Sequence, residues 1–240
     1  MPRINPRLSK PITDIQFPED LIAVHTAFRD QVYNPDSVLY PGCGNEASAS
    51  KVYKRVTFVD IEDGNTGCVS ALLKSGLRAF KQDIRDHEPA EEHDMLFLLN
   101  PAIRTAWAAK HIRSGAYILA NDWHANATEM SEDKNKYALW GTINTAERDR
   151  RKGDNRVIVS QDLTGLFVPV KDASEFARLR PRDFEFAKGL IESWSKSGIL
   201  KVAPDKSFEE KWARYREVVT GSSLRMPARR VADYYIFVKT

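Results

Sequence analysis

Ser37-Val-Leu-Tyr-Pro-Gly-Cys-Gly44 is the stretch on which the fold turns. Ser37 to Tyr40 reads as a short apolar strand, and Pro41-Gly42-Cys43-Gly44 ends it in a turn. Asn45 to Lys54 is helix-like, with small residues on its first turns. Outward from this unit the pattern repeats. Val56 to Ile61 is a strand; Gly64-Asn65 turns the chain; Thr66 to Ser75 is a helix closed by Gly76. Arg78 to Ile84 is a third strand. Asp94 to Asn100 is a fourth, apolar throughout as a strand covered on both faces should be, and Pro101 stops it. Arg104 to Arg113 is helical and Gly115 ends it; Ala116 to Ala120 is a fifth strand. Strands alternating with helices over residues 37–123 predict a parallel α/β sheet with right-handed crossovers.

Before this core, three prolines mark residues 1–17 as an arm, and Pro18-Glu19-Asp20 opens an amphipathic helix over Leu21 to Val32. Beyond it, Met130 to Arg151 reads as polar and helical. Val157 to Ser160 and Leu166 to Val170 read as strands with Leu163-Thr-Gly165 turning between them. Ser174 to Ser197 contains a helix. Ser207-Phe-Glu-Glu210 is a capping box opening a helix to about Val219, and the chain ends on a strand, Asp233 to Lys239. The division expected is 1–36 arm and helix, 37–123 cofactor-binding core, 124–232 inserted recognition region, and 233–240 terminal strand of the core sheet.

Composition excludes several classes. With 42% hydrophobic and 29% charged residues the chain is an ordinary globular mixture. No apolar run reaches the ~20 residues of a membrane span, and the start, MPRINPRLSK, has no apolar stretch of signal-peptide type. Cys43 and Cys68 cannot form a disulfide framework, and metal-ligand spacings such as Cys-x-x-Cys are absent, so no metal is expected and the cytoplasm is the expected compartment. Residues 1–123 carry 14 Lys+Arg against 16 Asp+Glu, and residues 124–240 carry 22 against 17. The basic C-terminal half, with clusters at 148–152 and 225–230, leaves a nucleic acid partner open beside the expected small-molecule substrate. Oligomeric state is not readable.

Ligands of a parallel α/β sheet bind beyond the carboxyl ends of its strands, which reduces the search to the residues after each strand. Gly42 and Gly44 let the backbone turn sharply and approach a ligand, and the helix expected next would offer N–H groups to an anion. Asp60, eighteen residues after Gly42, suits both hydroxyls of a ribose, with Ile61 to pack on a base. Asp83 suits an exocyclic amine, with Ile84 stacking on the base; Asp86 is its competitor.

This set resembles the class I S-adenosylmethionine-dependent methyltransferases, on Tyr40-Pro-Gly-Cys-Gly44, Val59-Asp60, Gln82-Asp83-Ile84 and Leu98-Leu-Asn-Pro101, over about residues 37–123 and the terminal strand. The resemblance implies a Rossmann-like three-layer sandwich, mostly parallel with a reversed final strand, here with a helical insertion. It implies S-adenosylmethionine as cofactor, held by Tyr40, Gly42, Gly44, Asp60, Ile61, Asp83, Ile84 and Asn100, and methyl transfer to an unidentified acceptor. Asn100, Asp122 and His124 are then the candidate catalytic residues, with Trp123 beside them. The chain departs from the family at Tyr40, where an acid is usual, at Glu46, in place of a third glycine, and in the shortened Asn100-Pro101-Ala102-Ile103. Two alternatives follow: an inactive binding subunit with this fold, supported by Glu46 and Tyr40, and an NAD-dependent oxidoreductase, supported by Gly42-x-Gly44-x-x-Ala47 and Asp60.

Overall fold

The computed structural model describes residues 13–62, 67–99, 103–122, 126–145, 157–167, 172–179, 181–220 and 232–240. Among them, eight strands form one sheet: β1 Val38–Pro41, β2 Val56–Asp60, β3 Arg78–Lys81, β4 His93–Leu98, β5 Ile112–Ala120, β6 Tyr137–Thr145, β7 Val157–Ser160 and β8 Tyr234–Lys239. Their order is β3-β2-β1-β4-β5-β8-β6-β7. The pairs among β1 to β5 are parallel. β8 lies antiparallel between β5 and β6, and β7 is antiparallel to β6. The final strand is reversed, as expected; β7 is reversed as well, because β6 and β7 pair as a hairpin at the edge.

The sheet separates two cores because successive side chains of a strand point to opposite faces. Tyr40, Phe58, Met95 and Phe97 face one core, closed by Val24 and Phe28 of α1 (Glu19–Gln31) and Leu72 of α2 (Cys68–Lys74). Leu39, Val59, Leu96 and Leu98 face the other, closed by Ala108 of α3 (Thr105–Ala109) and Met130 of α4 (Asn126–Glu132). The order of layers is helix, sheet, helix. Helices α5 (Ala173–Leu179), α6 (Pro181–Lys196) and α7 (Phe208–Thr220) follow, with a small core of their own at Ile191, Leu200 and Tyr215. The expected capping box starts α7: the Glu210 N–H donates to Ser207 Oγ, and the Ser207 N–H to Glu210 Oε2. No helix among the described residues is long and apolar enough to cross a membrane.

Four expectations are corrected. The stretch 45–54 is not a helix but a single 3-10 turn, Ser48–Lys51, because the bridge of Gln16 to Glu46 and Ala47 bounds it on one side and the pairing of Arg55 and Val56 with β1 bounds it on the other. Gly115 does not close a long helix. It sits at φ +77° inside β5, where the β4–β5 register shifts between His93 and Met95, and α3 spans only Thr105–Ala109. Most of the 130–151 stretch is strand: Tyr137-Ala-Leu-Trp-Gly-Thr-Ile-Asn-Thr145 is rich in aromatic and β-branched residues, and pairing with β8 overrides its polar appearance. Leu166 and Phe167 lie in a turn, and 168–170 fall outside the described residues. The sheet therefore draws β6 and β7 from within 124–232.

Burial sets the pH response of this fold. His25 is wholly buried against Phe97 and Tyr53, and burial pushes its pKa from 6.5 to about 3. His87 and His93 are pushed down to about 4, by burial first and then by neighbouring positive groups. All three are neutral in the folded chain, whereas the unfolded chain protonates them as pH falls below 6.5. Their contribution is complete above 6.5 and is lost on the way to about 4, at about 1.4 kcal/mol per pH unit for each group. Urea midpoints are expected to fall from pH 7 to pH 5, and His25→Phe to flatten that slope. A midpoint flat over this interval would contradict it.

Candidate functional site

A groove of about 220 Å³ opens at the carboxyl ends of β1, β2 and β3, bordered by Gly42, Asp60, Ile61, Asp83, Ile84 and Trp107. Six of the eight expected cofactor residues thus converge at one edge: five border the groove, and Gly44 donates its N–H to Asp60. Gly42 and Gly44 have φ of +64° and +57°, the left-handed region that disfavours side chains, so the first loop needs glycine at both positions.

Asp60 ends β2 and is only 8% exposed. The Gly44 N–H donates to its Oδ2 (2.9 Å) and the Glu62 N–H to its Oδ1 (2.7 Å), so one carboxylate ties the glycine loop to the turn after β2. Glu62 adopts φ +57° and is held there by its side chain. Its Oε1 accepts from the Val69 N–H at the start of α2 (2.8 Å), and its Oε2 pairs with Lys81 Nζ (2.5 Å). Burial works to raise the Glu62 pKa, but Lys81 and the Val69 and Gly67 N–H groups outweigh it and hold the carboxyl below its usual range. The turn so fixed presents Ile61, 52% exposed and apolar, to the groove.

Asp83 begins the next wall. It caps the 3-10 turn Ile84–Asp86 by accepting the Arg85 N–H (2.8 Å). The Arg85 guanidinium adds two bonds, Nε to Oδ1 (3.0 Å) and Nη2 to Oδ2 (2.6 Å), and this pairing holds the Asp83 carboxyl below its usual range. The same guanidinium lies over the Trp107 ring at 4.8 Å, a cation–π contact at the rim. Beneath, the His111 Nε2–H donates to the Ile84 carbonyl (2.9 Å), and the Gln82 amide donates to His87 Nδ1 (2.6 Å). The groove has a rigid floor, two carboxylates about its rim and an apolar side chain between them.

Glu62, Arg85 and Trp107 were not singled out by sequence. Asp83-x-Arg85 was a visible signal of an ion pair. Nothing in the sequence announced Trp107, since its place depends on where α3 begins.

Tyr40 is corrected. It is 2% exposed, packed among Phe58 and Phe97, and belongs to the core below the groove. It alternates with Leu39, so the strand's pleat sends it to the α1 side. Burial, then the Glu46 carboxylate beside it, pushes its phenol pKa well up. Asp122 follows β5, as expected, but its oxygens accept from the Thr128 N–H (2.8 Å) and the Thr128 hydroxyl (2.7 Å), which ties it to α4. Asn100, Trp123 and His124, and the basic clusters at 148–152 and 225–230, lie outside the described residues. Cys43 and Cys68 are both buried, and burial pushes the Cys43 thiol well up and that of Cys68 to about 12, which disfavours the thiolate at both. Among the described residues the strand beside β5 is the reversed β8, so β4 and β5 lack the third parallel strand of a second mononucleotide-binding half, and the oxidoreductase alternative loses its architecture.

No family model and no curated protein matches this chain. Among solved structures it is similar to the N-methyltransferase NodS of Bradyrhizobium japonicum in complex with S-adenosyl-L-homocysteine, at 16% identity over 48% of this chain and 64% of that one, with a TM-score of 0.34. It is similar to the sugar N-methyltransferase KedS8 of a Streptoalloteichus species, at 16% identity over 44% and 48%, with a TM-score of 0.36. It is also similar to the O-methyltransferase TomG of Streptomyces achromogenes in complex with SAM, at 12% identity over 56% and 77%, with a TM-score of 0.37. The match spans less than two thirds of the length of the first two. The fold assignment rests on the strand order rather than on these scores: with β3-β2-β1-β4-β5 parallel and a reversed β8 set between β5 and β6, the chain has the class I S-adenosylmethionine-dependent methyltransferase fold.

Proposed function

We propose that this chain is an S-adenosylmethionine-dependent methyltransferase acting on a small-molecule acceptor. The observation that carries the reading is the groove itself: Ile61 exposed between the carboxylates of Asp60 and Asp83, beside Gly42, at the carboxyl ends of adjacent strands. These donor and apolar groups fit an adenosine. Asp60 accepts ribose hydroxyls with the lone pairs that the Gly44 and Glu62 N–H groups leave free. Ile61 and Ile84 pack on the base, and Asp83 accepts its amine.

S-adenosylmethionine, when bound, supplies a methyl group on a sulfonium for in-line displacement. What the chain contributes is alignment and exclusion of water. Asn100, after β4, orients the acceptor. His124, after β5, takes the proton the acceptor loses, as a base whose ordinary pKa is near ~6.5. Asp122 holds the first turn of α4 through Thr128. Helices α5–α7, with their separate core, form the element that recognises the acceptor.

A thermal-shift titration with S-adenosylhomocysteine tests the reading. The native chain is expected to gain several degrees at saturating ligand, and Ile61→Asp, which puts a third carboxylate in the groove, to gain none. An equal gain in both would place the ligand elsewhere.

A further inference from the structure

The loop after β1 is already occupied by its own chain. The Gly42 N–H donates to the Val59 carbonyl (2.8 Å) and the Gly44 N–H to Asp60 (2.9 Å). The Glu46 N–H donates to the Cys43 carbonyl (3.1 Å). The Ala47 N–H donates to the Gln16 carbonyl (2.9 Å), part of a bridge in which residues 14–18 cross the loop. The Ser48 N–H, first of the 3-10 turn, donates to Glu46 Oε1. Of the seven backbone N–H groups of residues 42–48, five are held inside the protein, all but those of Cys43 and Asn45. The anion cradle that a helix of useful length would offer is filled by the chain's own carboxylate.

Charge points the same way. The buried Glu46 Oε2 lies beside the Tyr40 phenol, and Asp60 stands on the other side of Gly44. An incoming carboxylate at this loop would meet two carboxylates and no loop donor at residues 42, 44, 46, 47 or 48. The nucleoside half of the groove is untouched by this.

We propose that the site recognises 5′-thioadenosines through the nucleoside alone, with Glu46 taking the place where an amino-acid carboxylate would be held, so that 5′-methylthioadenosine binds as tightly as S-adenosylhomocysteine. This rests on the adenosine reading of the groove and narrows it to a ligand class. A carboxylate gripped by loop donors would contribute roughly tenfold to a hundredfold in affinity; here that increment is missing.

The test is calorimetric titration of the native chain, Glu46→Gln and Glu46→Gly with both compounds, each variant first checked for native circular dichroism. The native dissociation constants are expected to agree within about threefold. Both variants are expected to shift the ratio toward S-adenosylhomocysteine, by roughly tenfold in Glu46→Gly, where the Ser48 N–H is released and the charge removed. Glu46→Gln keeps an acceptor for Ser48 and guards against a loss due to loop collapse. Native affinity for S-adenosylhomocysteine exceeding that for 5′-methylthioadenosine by about thirtyfold or more would overturn the proposal while leaving the adenosine reading intact, as would one ratio common to all three proteins. Failure of both compounds to bind any of the proteins would overturn the adenosine reading and this inference with it.

Discussion

Asp60→Asn is expected to lower the affinity for S-adenosylhomocysteine by about a hundredfold, and the free energy of unfolding by about 1–3 kcal/mol. Both effects come from one carboxylate. Its two oxygens accept the Gly44 and Glu62 N–H groups. An asparagine has one acceptor oxygen, so its amide N–H₂ must confront one of those donors and leave it unpaired in a site 8% exposed. The glycine loop and the Ile61 turn then separate. The ligand loses a charged acceptor for two hydroxyls, each bond worth about 1.5–3 kcal/mol when charge-assisted. Urea denaturation gives the first quantity and titration of the folded variant the second. A folded Asp60→Asn chain with native affinity would remove Asp60 from the ligand site.

The second large effect lies in β8. This strand comes last in sequence but sits inside the sheet, with Tyr117 to Ala120 on one side and Tyr137 to Ile143 on the other. Ile236 and Phe237 are fully buried, one in each core. Deleting residues 234–240 leaves β5 and β6 without the strand between them, and is expected to abolish cooperative unfolding altogether. Phe237→Ala is the graded form, expected to cost about 3–5 kcal/mol as a large-to-small change in a closed core. Circular dichroism and urea titration read both. A deletion product that melts cooperatively near the native midpoint would show that β8 is dispensable.

The legible part of the fold was the part written in local pattern. β1 to β5 alternate with helices or turns, their inward residues are apolar, and Gly42, Gly44 and Gly76 take the positive φ that their turns need. Asp60 and Asp83 were readable because a strand end in a parallel sheet leaves few candidates. What escaped was decided by partners far away in sequence. β6 is paired by β8 almost a hundred residues later, and the polar residues that flank it within 130–151 read as helix. The turn at Ser48–Lys51 never becomes a longer helix because the bridge to Gln16 on one side and the pairing of β2 with β1 on the other leave it no room. Tyr40 stood at a position where the family carries an acid, yet the pleat of β1 and the aromatic rings of Phe58 and Phe97 make it core. Arg85 and Trp107 border the groove only because the turn at Ile84–Asp86 and α3 are brought together, which no spacing rule encodes.

The most direct measurement is calorimetric titration of the purified chain with S-adenosylhomocysteine, with NAD in a parallel cell and Asp60→Asn as control. The groove geometry predicts micromolar binding of the sulfur ligand, weakened about a hundredfold in the variant, and no heat from NAD. Silence with S-adenosylhomocysteine, or equal binding by the native chain and Asp60→Asn, would contradict the account.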